Sequence, residues 1–180
     1  MRPWLCVVVV LASLGCPGAG QQDLIPAPYT PSDDVAFIDA MVPHHETAVW
    51  MADQVIVRGA DADVREMAVR MLAAQEFEIE ALLGRREALT SAPVQPVADD
   101  PHMQDAMVEL GALAGDALDR AFLAEMIPHH ATALVTAHRA RPNLADDDVI
   151  GIADLIERDQ AREIGDMRAK LDAMQGLASP

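Results

Sequence analysis

Residues 37–52 read FIDAMVPHHETAVWMA, and residues 122–137 read FLAEMIPHHATALVTA. Both place a Met, a Pro and a His-His pair at the same register. Holding the offset and reading outward gives identities at Asp34/Asp119, Ala36/Ala121, Phe37/Phe122, Met41/Met126, Pro43/Pro128, His44/His129, His45/His130, Thr47/Thr132 and Ala48/Ala133. They resume at Val64/Val149, Ala68/Ala153, Gln75/Gln160, Glu78/Glu163 and Ile79/Ile164. A match that needs no gap from one end to the other marks an internal duplication.

Each half predicts two helices. Residues 33–58 carry apolar side chains at helical spacing, with Ser32 as the expected N-cap. Gly59 breaks the run, and Asp61 or Asp63 opens a second helix whose apolar row is Val64, Met67, Ala68, Met71, Ile79 and Leu82. The second half repeats the plan, with helices over 116–139 and 146–174 around the turn RPNLA. Halves 33–90 and 116–175 are joined by a crossover, 91–115, which holds a proline-bearing stretch and then a short helix ending near Gly111 or Gly115. Strand signals are absent. The class is all-α: two αα-hairpins forming a four-helix bundle over residues 33–176.

The position of the histidines within that bundle follows from simple counting. In an antiparallel hairpin, residues equidistant from the turn share a level, which sets His45 against Gln75 and His130 against Gln160. At 1.5 Å per residue this level lies ~22 Å from the turn, near mid-bundle. Asp34, Met41, His45, Ala48 and Ala52 share one stripe, with His44 turned ~100° aside. Gln75 and Glu78 interrupt the apolar row of the second helix. Polar groups aimed inward are costly to bury unless they are paired or ligate a metal. Pro43 and Pro128 either begin their helices or kink them just before the His pair; the apolar spacing upstream favours the kink.

Imidazole suits zinc, copper, iron and nickel, and thioether selects Cu(I). Met41, His44 and His45 lie within one helical turn, as do Met126, His129 and His130, and these six are the ligand candidates. Glu78, Glu163, Gln75, Gln160, Asp34 and Asp119 are candidates to orient ligands or to join them. Met51 offers a further thioether, although Thr136 replaces it in the second half. His102, Met103 and Met107 make a third His/Met group. Copper is the favoured ion, with zinc and iron open. Met67, Met71, Met167 and Met174 read as core, and His138, whose counterpart is Asp53, reads as surface.

The N-terminal residues predict export. Arg2 precedes an uncharged run from Leu5 to Leu14, too short to span a bilayer and suited to a secretory leader over 1–20. The stretch ASLGC makes Cys16 a candidate for lipidation, which would tether the chain to a membrane and remove an otherwise lone thiol. Plain secretion after cleavage near Gly18-Ala19-Gly20 is the alternative. Residues 21–32 are proline-rich and read as a tether. The chain has 13 Lys and Arg against 29 Asp and Glu, a net charge of -16. That balance excludes nucleic acid and anionic lipid surfaces as partners.

The stretch from Asp119 to Leu123, the two Met-[Val/Ile]-Pro-His-His-x-x-Ala blocks and the two Gln-x-x-Glu-Ile blocks resemble the bacterial domain-of-unknown-function family 305, over residues 33–174. The resemblance implies a ferritin-like fold and export, and copper binding through His and Met in some members. Ligand candidacy carries over to Met41, His44, His45, Met126, His129 and His130.

Three functional classes follow. The first is an exported protein that sequesters or delivers copper. The second is a structural or partner-binding bundle with a buried polar layer. The third is a dinuclear metal oxidase, which ranks last because the Glu-x-x-His pattern of di-iron bundles is missing: Glu125 precedes His129 by four residues and its counterpart is Ala40. No catalytic triad, phosphate loop or dinucleotide fingerprint is present.

Overall fold

The structure, a computed structural model, describes residues 29–94 and 101–176. The expected leader, Cys16, most of the expected tether and the middle of the expected crossover lie outside the described residues. Five α-helices run in order: α1 (Asp34–Arg58), α2 (Ala62–Leu89), α3 (Pro101–Ala112), α4 (Gly115–Ala140) and α5 (Asp147–Met174), with a 3-10 turn at Arg141–Asn143 between the last two. No strand occurs among the described residues. None of the helices is long and apolar enough to cross a membrane.

Short polar side chains set the starts of α1, α2 and α5. Asp61 accepts from the amides of Asp63 and Val64, and Asp146 does the same for Asp148 and Val149. The expected cap at Ser32 is instead Asp33, whose carboxylate accepts from Ala36 N at 2.9 Å. The carboxylate there also meets the positive end of the helix dipole. Pro43 and Pro128 lie inside unbroken helices, so neither opens its helix. Each deprives the carbonyl four residues back of its amide partner. In the turn that follows, Thr47 and Thr132 donate back to the carbonyls of Pro43 and Pro128, both at 3.1 Å.

α1 lies along α2 and α4 along α5, and the two hairpins meet chiefly where α1 crosses α4. α3 is strapped across α1 and α4 by Arg58, which donates to the carbonyls of Leu110, Gly111 and Leu113 at its C-terminal end.

Apolar faces collect into two clusters. The first includes Met51, Val55, Met71, Phe122, Leu123 and Met126, all essentially inaccessible. The second includes Phe37, Ile38, Met41, Ala137, Val149 and Ile156. Each large side chain so buried contributes about 1.5–3 kcal/mol. On α1, α2, α4 and α5 alike, the segment feeding one cluster is separated from the segment feeding the other by buried polar residues: His45, then Gln75 and Glu78, then His129 and His130, then Gln160. The bundle therefore has a polar waist between two dry ends.

Two reciprocal clasps fix the register between hairpins. Asp119, at the start of α4 and fully buried, accepts from Ala60 N and Asp61 N at 2.9 and 2.7 Å, in the turn of the first hairpin. Asp34, at the start of α1, accepts from Ala145 N and Asp146 N at 3.1 and 3.2 Å, in the turn of the second. The first clasp is the tighter. A β-carbon on Gly59 would sit 2.4 Å from Asp119 Oδ1 and 2.7 Å from Val55 O.

Candidate metal centre

The waist is a row of four imidazoles. His44 and His129 stack across the α1–α4 crossing with ring centroids 3.7 Å apart and planes 13° from parallel. His45 and His130 flank them, each 6.2 Å from its chain neighbour. His44 Nε2 donates to the carbonyl of His129 at 3.2 Å.

The outer pair of rings is held by carboxylates. His45 Nε2 meets Glu78 Oε2 at 2.7 Å, and His130 Nε2 meets Glu163 Oε2 at 2.8 Å. Counting from the turn put His45 level with Gln75; its partner is Glu78, one turn further along. The reason is the tilt of Cα–Cβ bonds toward the helix N-terminus. In an antiparallel pair the two tilts are opposed, so a side chain on α1 meets one placed later on α2.

Burial sets the protonation states. Desolvation holds His45 down at about 3, helped by the nearby His130, while Glu163 works weakly in the other direction. Desolvation also holds His129 well below its ordinary value, assisted by His44, His130 and His45; the His44 backbone opposes this. Glu78 is pushed up to about 7 by desolvation and then by the charges of Glu163 and Asp159. These cross-influences mean that the His-Glu pairs of the two halves share one electrostatic environment. With Glu78 ionised, His45 Nε2–H donates to it and Nδ1 keeps its lone pair. Nδ1 of His45, Nδ1 of His130 and both nitrogens of His129 are buried without a hydrogen-bond partner. Gln75 Oε1 and both polar atoms of the Gln160 amide share that condition.

These groups give the metal-free domain a pH dependence. Below pH 6.5 the unfolded chain protonates His129 and the folded one resists, so stability falls as pH falls. His45 acts in the same direction between 6.5 and about 3. Glu78 acts oppositely between 4.5 and about 7, where the folded state holds the extra proton. Between 4.5 and 6.5 the His45 and Glu78 contributions largely cancel and the slope of His129 is left. Urea denaturation at stepped pH is expected to show stability dropping by about 1.4 kcal/mol per unit on acidification from pH 6.5. His129→Leu should flatten that slope; an unchanged slope would rule out His129 as its source.

The remaining candidates fall in three places. Met41 and Met126 are buried one turn before His45 and His130, facing the two apolar clusters on either side of the waist. Met51 is also fully buried, but six residues beyond His45, roughly 9 Å along the axis, inside an apolar cluster. Asp34 and Asp119 are not brought to the waist. Each lies eleven residues before its His, roughly 16 Å away, and serves the clasp described above. They share the helical stripe of the histidines, which is why their spacing suggested a role there. Met103 packs at the edge of a core cluster, and the side chain of His102 lies outside the described residues. His138 is exposed beside Glu157 at 3.8 Å. Asp159, whose charge reaches Glu78, was missed by the repeat because its counterpart is Ala74.

As the side chains stand, no three His, Cys, Asp or Glu residues among those described are gathered as they would be around an ion. The donor set nonetheless fits one: imidazoles with buried, unpartnered nitrogens, carboxylates behind two of them, and thioethers one helical turn away.

A bundle of two αα-hairpins with a histidine-lined waist is the class of protein that these features define. The family model described as "Domain of unknown function (DUF305)" matches residues 34–171, and the chain belongs to that family. No curated protein matches the sequence. Among solved structures, a DUF305 fragment from Deinococcus radiodurans aligns with a TM-score of 0.68 at 26% identity, covering 81% of this chain and 99% of that one. CopM in its Cu(I)-bound form aligns with a TM-score of 0.65 at 29% identity, covering 78% of this chain and 94% of that one. Its Cu(II)-bound form gives 0.68 and 26%, covering 78% and 97%.

Proposed function

We propose that this chain binds copper as cargo at the waist of the bundle, and that it does so as an exported, envelope-located protein. The observation that carries the reading is the state of His45 and His130. Each gives Nε2 to a glutamate and leaves Nδ1 buried without a partner. A carboxylate behind an imidazole fixes its tautomer and raises its basicity, the usual support for a metal-ligating histidine. Because burial keeps His45 neutral, it need not lose a proton to become a ligand. His129, with two unpartnered nitrogens, and His44 stand beside it; Met41 and Met126 supply the thioethers that favour Cu(I). The copper-bound CopM structures support the same ion. Export is supported by the leader-like residues 1–20, and tethering by Cys16 within ASLGC.

An anaerobic Cu(I) titration against a competing chelator tests this, with histidine 15N shifts as the second readout. Expected are one ion per chain and the largest shifts at Nδ1 of His45 and His130. Saturation that leaves those nitrogens unmoved, or no competition with the chelator, would reject the site. Cu(I) should also displace the Glu78 proton, so affinity is expected to rise with pH up to about 7 and then level off. Glu78→Gln keeps a hydrogen bond to the ring without the charge. It is expected to weaken binding by about 10–100-fold.

A further inference from the structure

We propose that the outer face of the α1–α2 hairpin docks a cationic amphipathic helix of a partner protein. Here an open groove of about 760 Å³ has Val49, Ile79 and Leu83 as its floor and Glu46, Glu76, Glu80 and Glu87 on its rim. The rim is uncompensated. Arg70, Arg85, Arg86, Arg141 and Lys170 are engaged elsewhere, on Glu66, Asp146, Asp39, Asp154 and the Asp61/Asp63 pair. Among the described residues none reaches these four glutamates. Leu83 on that floor is 40% exposed, and elsewhere on α2 Phe77 is 64% and Val69 48% exposed.

The second hairpin acts as an internal control, because the same backbone positions serve the same fold. At the 85-residue offset the four glutamates become Ala131, Ala161, Gly165 and Asp172. Val69, Phe77 and Leu83 become Asp154, Arg162 and Arg168. Neither the acidic rim nor these exposed apolar residues are therefore required by the hairpin. Both belong to one half only, where apolar surface is normally kept off an outer face.

Complementarity names the occupant. From Glu76 to Glu87 the rim runs roughly 16 Å, about three turns of a docked helix. The floor calls for aliphatic residues at i, i+3, i+4 and i+7, and the rim for Lys or Arg on both flanks. A second copy of this chain is the wrong sign, since each molecule carries a net charge of -16. The groove backs onto the turns that hold His45 and Glu78, as Glu46 and Ile79 are their chain neighbours. A docked helix would thus rest against the wall of the waist, although the surface stands independently of metal binding.

The test is fluorescence anisotropy of the full chain with a labelled three-turn Leu/Lys helical peptide. Tight, salt-sensitive binding is expected, at least about tenfold stronger than for a Ser/Lys peptide of equal charge. Changing Glu46, Glu76, Glu80 and Glu87 together to Gln should weaken it about tenfold or more. Neutralising Asp105, Glu109, Asp116 and Asp166, four exposed acids away from the groove, should leave it nearly unchanged. Equal losses in the two variants would show general attraction to an acidic molecule and overturn the proposal. So would equal affinity for the two peptides, no binding at all, or a dimer in sedimentation that the groove variant dissolves.

Discussion

Alanine at both His45 and His130 is expected to lower Cu(I) affinity by roughly a thousandfold or more, well beyond the 10–100-fold attached to losing an outer carboxylate. Both rings are fully buried at the waist, and each sets a glutamate behind Nε2. The double variant should keep its helical signal, because the dry clusters on either side of the waist are untouched. His138→Ala is the matched control: that ring is exposed and should leave affinity unchanged. The alternative of a purely structural polar layer predicts the opposite pattern. In that case the double variant would lose stability, and the parent protein would show no copper competition to lose. Competition titration and urea denaturation on the same three proteins separate the two accounts.

Gly59→Ala is expected to destabilise the domain by about 3 kcal/mol, a large share of the 5–15 kcal/mol that domains of this kind possess. The backbone there is ordinary, with φ -68° and ψ 153°, so no conformational penalty is involved. The clash is with Asp119 Oδ1 at 2.4 Å and with the Val55 carbonyl at 2.7 Å. Val55 O already accepts from Gly59 N at 2.8 Å, and Asp119 is buried and bound to two amides, so neither can retreat cheaply. Gly84 and Gly151 provide the contrast. Nothing lies within 4 Å of a β-carbon at either, and both are mid-helix. Alanine there should stabilise by about 0.5–1 kcal/mol. A Gly59→Ala protein as stable as the parent in urea would mean that the clasp is slack.

The architecture was largely legible because its signals are local. Gly59, Asp61 and Asp146 mark turns and caps within a few residues of where they act, and the apolar rows of α1 and α2 declare their buried faces by spacing alone. The two matching Met-x-Pro-His-His blocks showed that polar groups were being driven inward at one level. Asp34 and Asp119 show where this kind of inference stops. They share the stripe and the repeat with the histidines, yet spacing along one helix does not say which turn of another hairpin will lie against them. Met51 sits on the same inward side as Met41 and fills core.

Local spacing settled two αα-hairpins, their helices, and a mid-bundle level carrying His, Gln and Glu. Only the tertiary structure decided that His44 stacks on His129, that Glu78 and Glu163 take Nε2 of the outer rings, and that Nδ1 is what remains. The physical reason is range. Helix formation and capping are settled over three or four residues, whereas the His-Glu pairs close over 33 residues and the stacked rings over 85. Those meetings depend on Cβ tilt and on where two helices cross, and the glutamate met at Nε2 then sets which nitrogen keeps its lone pair.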